Sequence, residues 1–183
     1  MDKMSGRICI ITGSNSGIGK QTALALAKMG ATIVMVVRNK IRGEKALKEI
    51  ISQTGNKDAN LMTSDLSSMN SIRDFTEEFK KTYSRLDVLI NNAGAVFNKR
   101  QITPEGFERT LAVNYLAPFL LTHKLLNLLK NSLPSRIINV TSGLAKKGRV
   151  DLDDLQSEKK YAGMQTYSNA KLCLLYTSPS PRD

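Results

Sequence analysis

Tyr167 and Lys171, four positions apart, are the residues of this chain best suited by type and spacing to acid–base work. On a helix, positions i and i+4 share a face, so an ammonium would lie beside a phenol. A nearby cation favours the phenolate, which brings a group that ordinarily titrates near about 10 into reach of proton transfer at neutral pH. Of the five tyrosines, only Tyr167 has a lysine at this spacing. Alone the pattern is weak, because it arises by chance in one chain out of a few.

A second group of residues is built to hold phosphate. A short apolar run is followed by Thr12-Gly13-Ser14-Asn15-Ser16-Gly17-Ile18-Gly19 and then by residues of helical period. Glycine permits a tight turn and close approach of a diphosphate, which then meets the positive end of the helix. The spacing is G-x-x-x-G-x-G, not the G-x-G-x-x-G of the general dinucleotide fingerprint. Cofactor flavour is read at the end of the second strand, where an acid would bond the adenine ribose hydroxyls and repel a 2′-phosphate. Here stand Val37-Arg38-Asn39-Lys40, with Arg42 soon after and no acid. A guanidinium can hold the extra phosphate through paired donors, so NADP(H) is the predicted cofactor; a surface arginine on a loop is the alternative.

The elements that must position these groups alternate along the chain. Ile8–Ile11, Ile33–Val37, Leu86–Ile90 and Ile137–Val140 read as buried strands, with a weaker candidate at Leu61-Met62. Helical period runs from Ile18 to Met29, Arg42 to Ser52, Met69 to Tyr83 and Phe107 to Leu129, and again through Ala170–Leu175. Such alternation predicts one α/β domain, a doubly wound parallel sheet with helices on both faces. The last helix should stop near Tyr176, because two of the five prolines fall in the final five residues. Residues 176–183 fall outside the pattern and read as a disordered end or as sequence foreign to the rest.

Composition removes several classes. The 183 residues are 41% hydrophobic and 23% charged, ordinary for a globular domain. No apolar run approaches the roughly 18–20 residues of a spanning helix, and no signal peptide opens the chain. Cys9 and Cys173 lie in apolar stretches without ligand-like spacing, which suits a reducing compartment and argues against a metal site. With 27 basic and 16 acidic residues the net charge is +11. The basic residues are spread thinly and no RNP-like, zinc-finger or recognition-helix pattern accompanies them, so no nucleic-acid partner is expected. His123 reads as a surface or packing residue, the Asn139-Val140-Thr141 sequon as part of a buried strand, and Lys146, Lys147 and Arg149 as a solvated loop.

Taken in order, the motifs resemble the short-chain dehydrogenase/reductase family. Its glycine motif matches Thr12 to Gly19, and its acidic adenine contact matches Asp65-Leu66. Its N-N-A-G segment appears as Asn91-Asn92-Ala93-Gly94, its helix asparagine as Asn114, and the serine after its fifth strand as Ser142. Tyr167 and Lys171 complete the catalytic tetrad. The match runs from about Arg7 to Leu175. The 25-residue step from Ser142 to Tyr167, the acidic Asp151–Leu155 segment within it, and Arg38 make the chain similar to the retinol dehydrogenase-like branch and the related WW-domain oxidoreductase.

The resemblance implies a Rossmann-type sheet in the order 3-2-1-4-5. It implies dinucleotide contacts from Gly13, Ser14, Asn15, Ser16, Gly17, Ile18, Gly19, Arg38, Asp65, Leu66, Asn92, Ala93, Gly94, Tyr167 and Lys171. Catalysis by Asn114, Ser142, Tyr167 and Lys171 would interconvert a hydroxyl and a carbonyl on an apolar small molecule such as a retinoid or steroid. A homodimer and a place in the cytoplasm, or on the cytosolic face of an internal membrane, are also implied. The family continues past its Tyr-Lys helix with at least one more βαβ portion, which these residues do not include. The fold is therefore expected to be incomplete at its C-terminal side, with the strand at Ile137–Val140 an open edge and with little turnover from the 183-residue chain. A binding-only protein that holds NADP(H) without catalysis is the alternative.

Overall fold

The computed structural model describes residues 3–178. Five parallel strands form one sheet: β1 (Ile8–Thr12), β2 (Thr32–Val37), β3 (Ala59–Thr63), β4 (Val88–Asn91) and β5 (Arg136–Asn139), in the spatial order β3-β2-β1-β4-β5. The order reverses between β1 and β4. At such a switch point the carboxyl ends of the strands open a crevice, and both candidate motifs fall there.

The three central strands, β2, β1 and β4, are apolar on both sides because both faces are covered. Ile10, Val34, Val36 and Leu89 pack with Ile72, Phe75 and Phe79 of α3 (Met69–Thr82) and with Leu121, Leu125 and Leu129 of a long helix described below. On the opposite face Cys9, Ile11, Ile33, Met35 and Ile90 meet Ala23 and Ala27 of α1 (Gly17–Lys28) and Ala46 and Ile50 of α2 (Lys40–Thr54). Small residues on α1 let it lie close to the sheet, which keeps its first turn over the end of β1. Side-chain caps start two of these helices: Asn39 Oδ1 accepts from Arg42 N at 2.9 Å, and Ser68 Oγ accepts from Ser71 N at 3.3 Å.

Three expectations change in detail. The helix predicted over Phe107–Leu129 begins as a single turn, α4 (Arg109–Leu111), passes through a π turn at Ala112–Leu116 and continues as α5 (Ala117–Asn131). Its start is set by Glu108, whose buried carboxylate accepts from the amides of Thr110 and Leu111, both at 2.8 Å. β4 begins at Val88, not Leu86. The preceding Asp87 carboxylate instead binds Ile8 N, Arg7 and Arg85. β5 is not buried: it pairs only with β4 among the described residues, leaving Ile137 40% and Ile138 43% exposed, the open edge expected of this strand. The weak signal at Leu61-Met62 reflects an edge strand, β3, whose residues other than Ala59 stay partly exposed.

The last helix, α6 (Gly163–Tyr176), ends where the proline pair predicts. The foreign or disordered tail falls mostly on residues 179–183, outside the described residues. No helix among the described residues is long and apolar enough to cross a membrane.

Candidate active site

The turn after β1 is held in place by the segment after β4. Thr12 Oγ1 accepts from the amides of Asn92 and Ala93, both at 3.0 Å, and Asn92 Nδ2 donates to Thr12 O at 2.8 Å. Gly13 and Gly17 adopt φ of 66° and 54°, a region that disfavours any side chain. Gly19 is needed for a different reason. A Cβ there would collide with Asn92 Nδ2 and come within 2.6 Å of Gly13 O. Helix α1 therefore approaches the turn as closely as a backbone can.

Several features of this turn fit a dinucleotide. No side chain caps the first turn of α1, and no acid lies in it, so its amides and the positive end of the helix remain available to a diphosphate. The buried Ser14 Oγ has no hydrogen-bond partner among the described residues. A cleft of about 300 Å³ opens beside the turn, lined by Gly13, Asn15, Ser16, Arg38, Asp65, Leu66, Asn92, Ala93 and Gly94. Nine predicted contacts thus share one wall. Ser14, Gly17 and Gly19 shape the turn without lining the cleft, and Ile18 faces the neighbouring cavity.

That neighbouring cavity, about 370 Å³, is lined by Ser142, Tyr167 and Lys171 together with Asn92, Gly94 and Ala95, which also line the dinucleotide cleft. Tyr167 and Lys171 lie on one face of α6, the ammonium 5.9 Å from the centre of the tyrosine ring. Lys171 is 2% exposed and donates to Val140 O at 2.9 Å. Burial pulls its pKa down from 10.5 to about 8. Ser142 Oγ accepts from Leu144 N at 3.2 Å at the start of a 3-10 turn, Gly143–Lys147. Its hydroxyl proton is left for another acceptor.

Asn114 does not line either cavity. It is fully buried in the π turn, where Oδ1 accepts from Ala95 N at 3.1 Å and Nδ2 donates to Ala95 O and Thr110 O, both at 2.8 Å. It approaches Lys171 across Gly94, where a Cβ would stand 3.0 Å from Asn114 Oδ1 and 3.4 Å from Lys171 Nζ. Asn114 thus fixes the backbone after the N-N-A-G segment, immediately behind the lysine.

Sequence reading missed a clamp over this backbone. Phe97 lines the dinucleotide cleft, along with Val37, Ser64 and Val113. Arg109 stacks its guanidinium 4.6 Å from the Phe97 ring centre, and Tyr161 OH donates to Phe97 O at 2.8 Å while sharing a 2.9 Å hydrogen bond with Thr110 Oγ1. These contacts join segments 51 and 64 residues apart in sequence, and no local motif announces them. His123 is exposed and stacks on Phe119, with the ring planes 5° apart. Cys9 is buried, and burial first, then Asp87, pushes its thiol up to about 12.

The geometry has counterparts among known proteins. Human retinol dehydrogenase 11 is 42% identical over 181 residues, covering 98% of this chain and 57% of that protein. Human retinol dehydrogenase 13 is 43% identical over 171 residues, covering 93% and 52%. The chain therefore spans little more than half the length of these curated relatives. A solved structure from Mycobacterium paratuberculosis superimposes with a TM-score of 0.77 at 34% identity, over 92% of this chain and 58% of that one. A short chain dehydrogenase of Escherichia coli complexed with NADPH gives 0.76 at 25% identity, over 94% and 68%. The family model for short chain dehydrogenases matches residues 7–174, so the glycine turn, the N-N-A-G clasp and the Tyr-Lys helix stand in one matched span, and the chain belongs to the short chain dehydrogenase family.

Proposed function

We propose that the protein interconverts a hydroxyl and a carbonyl group on an apolar small molecule, with NADP(H) as hydride carrier and Tyr167 as acid and base. One observation carries this reading: Ser142, Tyr167 and Lys171 line a cavity that shares Asn92, Gly94 and Ala95 with the dinucleotide cleft. Arg38 in that cleft, with no acid at the end of β2, supports NADP(H), and the names of the retinol dehydrogenase relatives support a retinoid within the wider class of apolar aldehydes and ketones.

Gly13, Asn15, Ser16 and Arg38 would hold the dinucleotide, which would supply the hydride for a carbonyl carbon, or accept one from the alcohol carbon in the reverse direction. Ser142 donates its hydroxyl proton in a hydrogen bond to the substrate oxygen and fixes it against the phenol. Tyr167 delivers its proton to that oxygen as negative charge develops there, and takes it back when the alcohol is oxidised. Lys171, buried beside the ring, stabilises the phenolate left behind. Asn114 holds the Gly94–Ala95 backbone that separates the two cavities.

The test follows oxidation of NADPH by retinal, by a steroid ketone and by a short apolar aldehyde, with wild type and Tyr167→Phe. Turnover that disappears in Tyr167→Phe while NADPH still binds supports the reading. Turnover undiminished by that substitution would contradict it. A second reading, dinucleotide binding without turnover, is favoured by the uncovered β5, beside which the cavity wall at Thr141 is also exposed. It expects NADPH binding in both proteins and oxidation in neither.

A further inference from the structure

Helix α6 begins in contact with the segment that follows β4. A Cβ on Gly163, its first residue, would collide with Phe97 O and stand 3.2 Å from Asn98 Cα, so the helix starts with its backbone laid on that segment. Tyr161, just ahead of it in sequence, donates its phenol proton to the same Phe97 carbonyl at 2.8 Å and accepts from Thr110 Oγ1 at 2.9 Å. Burial holds its pKa above the ordinary 10.0, against the opposing hydrogen bond from Thr110, so the phenol remains a donor at neutral pH.

The segment it grips is a wall with two sides. Gly94 and Ala95 line both cavities, Val96 lines the one that holds Tyr167, and Phe97 lines the dinucleotide cleft. Asn114 binds the wall at Ala95, Arg109 presses on the Phe97 ring, and Tyr161 closes the far end at the Phe97 carbonyl. Side-chain bonds farther along α6 run to other segments: Gln165 to Lys147 O, Asn169 Oδ1 from Arg149 N, and Lys171 to Val140 O. The Tyr161 bond and the Gly163 contact therefore set the first turn of α6 against the wall. Tyr167 stands about one turn farther on.

We propose that Tyr161 is a positioning residue for hydride transfer: its bond to Phe97 O fixes the start of α6 against the wall between the two cavities, and with it the place of the Tyr167 phenol relative to bound dinucleotide. The proposal rests on the oxidoreductase reading above. Tyr161 itself lines neither cavity. Misplacing a reacting group by about 1 Å can cost about a hundredfold in rate. Lys171 shares the helix with Tyr167 and moves with it, so a shifted α6 slows the step without changing the pH at which Tyr167 titrates.

The experiment compares the full 183-residue chain with Tyr161→Phe and Gly163→Ala in single turnovers of retinal with NADPH carrying transferable deuterium, at several pH values. Tyr161→Phe removes the bond and keeps the ring, whereas Gly163→Ala pries the same contact apart with both bonding partners present. Each should slow label transfer per bound NADPH by about tenfold or more, with NADPH affinity within about threefold of wild type and the pH profile unmoved. Amide exchange should quicken at Thr166, whose N–H closes the first turn on Ala162 O. A wild-type rate per bound NADPH in Tyr161→Phe, with only urea stability reduced, would overturn the proposal, because the phenol would then be structural alone. A shifted pH profile would also overturn it, by placing Tyr161 in the proton transfer itself. A wild type that transfers no label would overturn the oxidoreductase reading and the proposal with it.

Discussion

Asn92 and Thr12 bind each other at both ends: the Asn92 side chain donates to the Thr12 carbonyl at 2.8 Å while the Asn92 amide donates to the Thr12 hydroxyl at 3.0 Å. The partners come from β1 and from the segment after β4, the strands that flank the reversal of sheet order. Their clasp couples the floor of the dinucleotide cleft to the wall of the cavity lined by Ser142, Tyr167 and Lys171. Replacing Thr12 by Val keeps the shape but leaves the Ala93 amide without its acceptor, while the Asn92 amide keeps only Ile90 O at 3.0 Å. An amide left unpaired costs about 1–3 kcal/mol. Urea denaturation of Thr12→Val should show a loss of about 1 kcal/mol or more, and NADPH affinity should fall with it. Unchanged stability and affinity would show that the clasp does neither job.

Gly19 tests the close approach of α1 separately from stability elsewhere. Gly19→Ala drives a methyl group toward Gly13 O and Asn92 Nδ2, whereas Gly143→Ala meets nothing within 4 Å. The first should lower NADPH affinity by at least tenfold, since a 1.4 kcal/mol displacement of the turn suffices. The second should bind NADPH like the wild type in the same fluorescence titration.

Lys171 gives the fold a pH dependence of definite sign. Its pKa is about 8 in the folded chain against an ordinary 10.5, lowered by burial. Between those values the unfolded chain binds more protons, so stability rises with pH across the window and is lowest, for this group, below about 8. Chemical denaturation at intervals through that range should show a gain on the order of 3 kcal/mol. Lys171→Met should flatten the rise, since the buried site then holds no charge to remove.

Acid acts at the other end of the sheet. The Asp87 side chain is 1% exposed between Arg7 and Arg85, at 2.7 Å and 2.6 Å. Burial alone would raise its pKa, but hydrogen bonds from Arg85, the Ile8 amide and Arg7 together hold it below the ordinary value. A depressed carboxylate pKa contributes stability that is complete above the unfolded value and is lost as pH falls through the folded one. Asp87→Ala should cost about 2 kcal/mol, because the Ile8 amide and two half-exposed arginines lose their shared acceptor. It should also reduce the acid sensitivity of the remaining stability, measured by denaturation near pH 4 and pH 7 (about one unit either way suffices).

Much of this was legible beforehand because strong local rules agreed. The continuous apolar runs at Ile8 and Ile33 could only be strands buried on both faces, and the glycines between β1 and α1 left little choice of turn. Tyr167 and Lys171 share a face through helical period alone. What escaped is long-range. Nothing near Phe97 foretells that Arg109 and Tyr161 will clamp it, and Asn114, singled out by the family resemblance, stands by periodicity in a regular helix. The π turn that buries it lies between α4 and α5, where the Asn114 side chain binds both the amide and the carbonyl of Ala95. Glu108 could have been read as a cap from its place two and three residues before the amides it binds, but the buried carboxylate was hidden in a charged loop.

The measurement that bears most directly on the central claim is transfer of label from NADPH carrying deuterium at the transferable nicotinamide position, in a single turnover with retinal. Wild type should place deuterium on the alcohol carbon, however slowly, and Tyr167→Phe should bind NADPH within a few-fold of wild type yet form no labelled alcohol. Labelled alcohol appearing at the same rate in both proteins would contradict the account.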